Sequence, residues 1–217
     1  MNPIDTQWLG RTEYLQCEEQ QALLRALVIA GKANEALLLT EHESVYAYGR
    51  RHPDSDQFPG PSVALDAPIV RSKRGGLLTY HGPGQIMIYC VIDIKRRGLS
   101  IPQFIEILQT SVIHWLLSIG VTAHATEGCP GVWVGEAKIC SVGLHFRRWV
   151  SMYGMSLNLD PDLAYFRHIK PCGFSGERVT SVREQGGEVR PVWLVWRDLG
   201  AAIVREIETK TVDKECQ

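Results

Sequence analysis

The chain has 217 residues, 45% of them hydrophobic and 22% charged, a composition that supports a packed core and excludes both a disordered polymer and a coiled coil. Lys plus Arg number 23 against 24 Asp plus Glu, a net charge of -1, so no global field favours nucleic acid or an anionic membrane and neither is expected as a partner. Six cysteines (Cys17, Cys90, Cys129, Cys140, Cys172, Cys216) fall at irregular intervals with no CxxC pair, which predicts free thiols, no metal site and a reducing, cytoplasmic setting.

Between Glu13 and Ala30, Tyr14, Cys17, Leu24 and Leu27 recur at helical spacing, with Leu23 and Ala26 broadening the stripe and Gly31 as the stop. The run EALLLTEHESVYAYGR predicts one or two strands ending at Gly49, followed by a polar, proline-rich loop from Arg50 to about Pro61. PIVRS predicts a short strand, RGGLLTYHGPGQ a glycine-dense loop and IMIYCVIDI a strand buried on both faces. From Ile101 to Ile119 the spacing of Phe104, Leu108, Val112, Trp115 and Leu116 predicts an amphipathic helix ended by Gly120. GVWVGEAKICSVGLHFRRWVSMYGMSLNL predicts two or three antiparallel strands, and Asp160-Pro161 the start of a short helix. PVWLVWRDLGAAIVREIE predicts a closing helix, with the tail after Glu208 expected to fray. The first twenty residues lack the succession of a signal peptide, and the longest stretch without Asp, Glu, Lys or Arg, Ile107 to Thr126, is too polar for a membrane span. One α+β domain over residues 1–217 is expected.

Two segments carry candidate chemistry. Arg74 to Gln85 packs four glycines and a proline around Thr79, Tyr80, His81 and Gln85. Such a loop either lets backbone N–H groups approach a ligand or is a tight connection with one hydrogen-bonded histidine. It lacks the lysine and hydroxyl of a phosphate-binding GxxxxGK[ST] and the third glycine of a dinucleotide fingerprint. Lys170-Pro171-Cys172-Gly173 holds a thiol between a fixed φ and a permissive residue, although most single cysteines are buried hydrophobes. A free thiol ionises near ~8.5, so a nucleophile needs a positive neighbour, for which Lys138 and His81 are candidates. Arg50-Arg51, Arg147-Arg148, Arg71, Lys73, Arg74 and Lys95-Arg96-Arg97 form either a local basic patch for an acidic partner or ordinary solvated charge. HESVY lacks the second histidine of HExxH and GFSG is not GxSxG, so zinc-peptidase and α/β-hydrolase readings lapse.

Together these segments resemble the octanoyltransferases of lipoate synthesis. EHESVYAYGRR looks like the family's EHxPVYTxGRR, RGGLLTYHGPGQIMIY fills its RGGxxTYHGPGQxxxY, GVWVGEAKICSVGLHFRRWVSMYGMSLNL follows its GVWVxxxKIxxxGxxxxRWxxxHGxxLN, and IKPCGF its IxPCG, over about residues 41–174. The resemblance implies the single-domain fold of biotin and lipoate protein ligases, a mixed sheet packed with helices. It implies transfer of an octanoyl group from acyl carrier protein to a lysine of lipoyl domains, those of 2-oxoacid dehydrogenase complexes and of glycine cleavage H protein, without a cofactor. By position it makes Cys172 the acyl-thioester nucleophile and Lys138 the group lowering its pKa, with Lys138 or His81 taking the proton of the acceptor amine. Arg74, Gly75, Gly76, Leu77, Leu78, Thr79, Tyr80 and His81, then Ser141, Val142 and Gly143, then Gly154, Met155 and Ser156, are implied to line the acyl pocket. One position departs: Tyr153 stands where the family has histidine, and a phenol does not exchange protons near neutral pH as imidazole does. The rival on the same fold is an ATP-dependent lipoate or octanoate ligase, and a more distant one is a non-catalytic carrier-binding module.

Overall fold

A computed structural model of the protein describes residues 3–50, 67–167, 169 and 178–215. Strand β1 (Asp5–Thr12) precedes helix α1 (Tyr14–Ile29), and β2 (Ala36–His42), β3 (Val45–Tyr48), β4 (Ile69–Arg71), β5 (Leu78–His81) and β6 (Gln85–Val91) follow. Helix α2 (Ile101–Ser118) leads to β7 (His124–Thr126), β8 (Cys129–Val134), β9 (Ala137–Arg147) and β10 (Val150–Asn158), then α3 (Ala164–Arg167) and α4 (Val192–Glu215).

Seven strands form one sheet in the order β1-β2-β6-β10-β9-β8-β7, and β4-β3-β5 form a second. β1 runs parallel to β2 and β4 to β3, while the other neighbours are antiparallel. The continuous apolar runs of β2 and β6 arise because both faces of the large sheet are covered. Leu37, Leu39, Ile86 and Ile88 point to α2 and α4, where Phe104, Leu108, Leu116, Leu199 and Ile203 complete the main core. Leu38, Met87 and Tyr89 point the other way, toward Cys17 of α1.

Capping explains the helix ends. Ser100 and Gln103 form a reciprocal capping box at the start of α2. Gly31 and Gly120 stop α1 and α2 at φ +68° and +84°, values that a residue with a Cβ adopts at a cost.

The structure departs from the sequence expectations in five places. β1 carries no strand signal because it is a half-exposed edge strand, interrupted by Gly10 at φ +76° and a register shift between Trp8 and Arg11. The inward face of α1 is Tyr14, Cys17, Gln21, Arg25 and Val28, while Leu23 is 65% exposed. The glycine-dense loop is strand over its middle four residues, as β5. Asp160 does not cap a helix but pairs with Arg183, and the turn of α3 is held by Asp162 Oδ1 accepting from Ala164 N at 2.9 Å. The chain beyond Glu208 continues as helix to Glu215. No helix among the described residues is long and apolar enough to cross a membrane.

A buried ion pair ties the end of β6 to the start of β2. Glu35 accepts from Arg97 Nε at 2.9 Å and from Asp93 N at 2.7 Å, and both charged residues are 2% exposed. Removing one partner leaves the other charge buried, so Arg97→Met should cost about 3–5 kcal/mol in urea unfolding at pH 7. A cost under about 1 kcal/mol would show that water replaces the guanidinium.

Candidate active site

The second sheet, the glycine-rich segment and α1 cover the large sheet on the face away from α2 and α4, and a cavity of about 230 Å³ lies between them. Drug-sized ligands occupy pockets of ~300–1,000 Å³, so this one suits a slender ligand. Its floor follows from pairing in the sheet. Gly154 of β10 stands opposite Gly143 of β9, which leaves a stretch of strand surface bare of side chains. At Gly154 a Cβ would sit 2.1 Å from the carbonyl oxygen of Ile88, so the neighbouring strand itself requires glycine.

Arg74, Gly75 and Gly76 make the facing wall. Arg74 is buried, and its guanidinium donates to the carbonyl oxygens of Ala47 (2.6 Å), Leu77 (2.8 Å) and Gly75 (2.9 Å), stapling the glycine-rich segment to β3. Its Nε, also buried, meets no partner among the described residues. Gly75 N donates to Leu144 O at 3.3 Å, which closes the segment onto β9.

β5 sorts its residues by alternation. Thr79 and His81 face the cavity, whereas Leu78 and Tyr80 point into a separate cluster with Tyr46, Phe166 and Ile169. Leu77 supplies its carbonyl oxygen to Arg74 and Gly49 and does not line the cavity. Of the pocket residues implied by the family resemblance, Leu77, Leu78 and Tyr80 do not line this cavity. Ser141, Val142, Gly143, Gly154, Met155 and Ser156 all line the cavity, as do Arg74, Gly75, Gly76, Thr79 and His81.

His81 is buried and stacked on Tyr14 at 5.7 Å between ring centroids. Burial, then the Arg74 cation, hold its pKa well below the usual 6.5, so the ring is neutral. Gln85 donates through Nε2 to Asn158 Oδ1 (2.9 Å) and Tyr80 O (3.3 Å), which turns Oε1 toward His81 Nδ1 at 3.1 Å. Nδ1 thus carries the proton and Nε2 the lone pair. His42 is built likewise: Nδ1 donates to Thr12 O at 2.9 Å, and Nε2 accepts the hydroxyl of Tyr89, a cavity residue, at 2.6 Å. The wall is polar but uncharged at both histidines.

Lys138 on β9 supplies a cation. Its side chain is 7% exposed, with Nζ donating to Pro130 O at 3.2 Å and lying 4.6 Å from the Trp133 ring centroid. Lys138, Thr79, Ser141 and Ser156 also line a small crevice with Phe166, Arg178 and Val179. Val179 bridges to Lys138, and Thr180 N donates to Lys138 O at 3.0 Å. Cys172, with the rest of Lys170 to Gly173, lies outside the described residues. Among the described cysteines, all with free thiols, burial pushes Cys17 up to about 11 and Cys90 and Cys140 up to about 12, which leaves those three protonated at neutral pH.

The expected basic patch is thinner than the sequence suggests, because Arg74 and Arg97 are buried structural residues. Arg51 lies outside the described residues. Sequence reasoning missed Tyr14, Met87, Tyr89, Gly128, Cys129 and Pro130 of the lining. Tyr14, Met87 and Tyr89 carry the same signal as core residues, and no spacing rule separates a core face from a cavity wall.

The model of the lipoyl protein ligase A/B catalytic domain matches residues 13–203. An octanoyltransferase of Geobacter sulfurreducens is 40% identical over 82% of this chain and 74% of its own, and one of Klebsiella pneumoniae is 38% identical over 72% of each. The chain belongs to the octanoyltransferase family, within the lipoyl protein ligase A/B catalytic domain. Among solved structures, a lipoate-protein ligase A bound with ATP superposes at TM-score 0.68 with 17% identity over 96% of this chain and 85% of its own. The biotin protein ligase of Aquifex aeolicus with biotin and ATP superposes at 0.54 with 13% identity over 95% and 70%. At such identities these two show the shared fold, that of the biotin and lipoate protein ligases.

His42 makes stability depend on pH. Burial holds its pKa down to about 4 in the folded protein, whereas the unfolded chain takes up this proton near ~6.5. Its contribution is therefore full above pH ~6.5 and is lost as pH falls toward 4, by about 3 kcal/mol at most. His42→Asn should narrow the difference in unfolding free energy between pH 7 and pH 4.5 by about 2–3 kcal/mol. An unchanged difference would mean that His42 is protonated in the fold.

Proposed function

We propose that this chain takes an octanoyl group from the thioester of an acyl carrier protein and delivers it to a lysine of a lipoyl domain by way of an acyl thioester on Cys172. The chain is an acyltransferase of lipoate synthesis, as its family is. In this proposal the donor is an acyl carrier protein, the intermediate a cysteine thioester, and the acceptors are lipoyl domains of 2-oxoacid dehydrogenase complexes and glycine cleavage H protein. The observation that carries the proposal is a buried lysine ammonium at one end of a slender cavity whose other cation, Arg74, is bound to three backbone carbonyls of the wall, and that ammonium lies beside the residues that flank the Cys172 segment, Phe166 on one side and Val179 on the other.

The chemistry needs little else. A Cys172 thiolate attacks the carbonyl carbon of the donor thioester, the bond from carbonyl carbon to donor sulfur breaks, and the carrier leaves as a thiol. The acceptor amine then attacks the Cys172 thioester, loses its proton and forms an amide as the Cys172 thiolate departs. The first exchange trades one thioester for another and the second runs downhill to an amide, so no nucleotide is required. Lys138⁺ favours the thiolate, each pKa unit of depression being worth ~1.4 kcal/mol. Lys138, once neutral, or His81 through Nε2, takes the amine proton. Of the two, His81 is the weaker base, since burial depresses its pKa.

Intact mass after incubation with octanoyl-carrier, with and without ATP, should show one added octanoyl group in both arms and none in Cys172→Ala. Acylation of Cys129, or a requirement for ATP, would overturn the reading and favour, respectively, another nucleophile or the ligase. Lys138→Arg should retain acylation but discharge slowly to the lipoyl domain, because guanidinium keeps the charge and does not release a proton. Lys138→Ala should slow acylation, about tenfold for each pKa unit the thiol regains. Normal single-turnover kinetics in the alanine variant would remove Lys138 from both steps.

A further inference from the structure

The lining residues give the cavity a direction. At one end, Lys138, Ser141 and Ser156 belong to both the cavity and the crevice next to Val179. Along β10 the lining continues through Met155 and Gly154 to Tyr153 and stops, and on β9 it stops at Gly143, before Leu144. Ser156 to Tyr153 is three strand steps of ~3.3 Å, or about 10 Å. With C–C bonds of ~1.5 Å, the seven bonds of an extended eight-carbon chain cover about 9 Å. The glycine floor, Gly143 against Gly154, lies between these two ends.

Tyr153 is unusual in its own right. It is a non-glycine residue at φ +62° inside a strand, in a region that tyrosine seldom occupies. Two other elements hold it there. Gln21 of α1 accepts from its backbone N at 3.0 Å, and Lys73 N donates to its hydroxyl at 3.2 Å. The side chain is 2% exposed and packs in the cluster containing Met87 and Tyr89, both cavity residues. A ring anchored at backbone and hydroxyl is a fixed stop rather than a swinging one.

We propose that Tyr153 closes the inner end of the cavity and thereby sets the length of the acyl chain the site accepts, a reading that rests on the acyl transfer proposed above. Tyr153 is thus a specificity-determining residue. Its replacement by a small residue that tolerates positive φ opens room beyond the glycine floor for further methylenes.

The test measures transfer from carriers loaded with 6-, 8-, 10- and 12-carbon acyl groups by the wild type, Tyr153→Gly and Tyr153→Asn, both of which relieve the backbone, and Tyr153→Phe, which keeps the bulk. Each buried methylene is worth about fourfold, so the ratio of kcat/KM for ten carbons over eight should rise about 15-fold in the glycine variant. The asparagine variant should move the same way, and the phenylalanine variant, which keeps the ring and the Gln21 contact and loses only the bond from Lys73 N, should move less than either small-residue variant. Melting curves identify variants that fold, and the asparagine variant carries the test if the glycine variant does not. A ratio within twofold of wild type in either folded small-residue variant overturns the proposal. In parallel, calorimetric affinities for octanoic and decanoic acid should show the same shift toward ten carbons. If the wild type transfers nothing but the shift is present, the transfer reading fails and the pocket assignment stands; transfer by the wild type without the shift sinks the pocket assignment alone.

Discussion

The pairing of Gly154 with Gly143 across β10 and β9 is the constraint on which the site depends. A sheet covered on both faces normally fills its interior with side chains, as β2 and β6 do here. Two opposed glycines interrupt that filling, and the carbonyl of Ile88, 2.1 Å from where a Cβ at Gly154 would be, fixes one of them. The empty strip persists because its roof cannot collapse onto it. Arg74 holds the glycine-rich segment through three backbone carbonyls belonging to β3 and the segment itself, and Gly75 anchors it to β9. An arginine that reads in the sequence as part of a positive surface is, in the fold, the clamp of the cavity wall.

The polar lining holds two cations in different ways, Arg74 bound to three backbone carbonyls of the wall and Lys138 at one end. His42, between Thr12 and Tyr89, has both ring nitrogens in hydrogen bonds that the neutral form satisfies, and His81 has its Nδ1 turned to Gln85, with Asn158 behind it. Burial opposes protonation of both. In such surroundings the Lys138 ammonium acts over a longer distance than it would in water, since fewer dipoles screen it. Pro130 O and the Trp133 face stabilise the cation and also aim it, because both lie on β8, the strand paired with Lys138.

Much of this was legible in the sequence, for physical reasons that differ by element. α2 announces itself through its periodicity and capping residues, and β6 through an apolar run too short for a buried helix. β1 does not, since an edge strand with polar residues and an interior glycine has no alternation to read. The inward face of α1 misleads because Gln21 and Arg25 turn inward to meet Tyr153 and His145, polar contacts made across more than a hundred residues. Within RGGLLTYHGPGQ the residue types point to a ligand wall, yet only the strand geometry of β5 decides that Thr79 and His81 face the cavity and Leu78 and Tyr80 do not. Tyr14, Met87 and Tyr89 line the cavity yet carry the spacing of core residues. Apolar periodicity reports which side chains are withdrawn from water, and a cavity wall and a core are equally withdrawn.

Tyr153 shows how a local violation can be informative when pattern is not. A tyrosine at positive φ inside a strand contradicts both intrinsic preference and the run of the β10 ladder, and such conflicts persist only where surrounding structure over-determines them. Here the determinants come from α1, through Gln21, and from Lys73, the residue leading into the glycine-rich segment, at the two elements that roof the cavity. The strained residue is thus the point at which floor and roof are tied together. A conformation held from both sides resists being pushed aside by an entering chain, whereas an unstrained side chain on the floor alone would yield by changing rotamer. The strain and the rigidity of the stop are two aspects of one arrangement, and the same contacts that hold the ring in place define where the cavity ends.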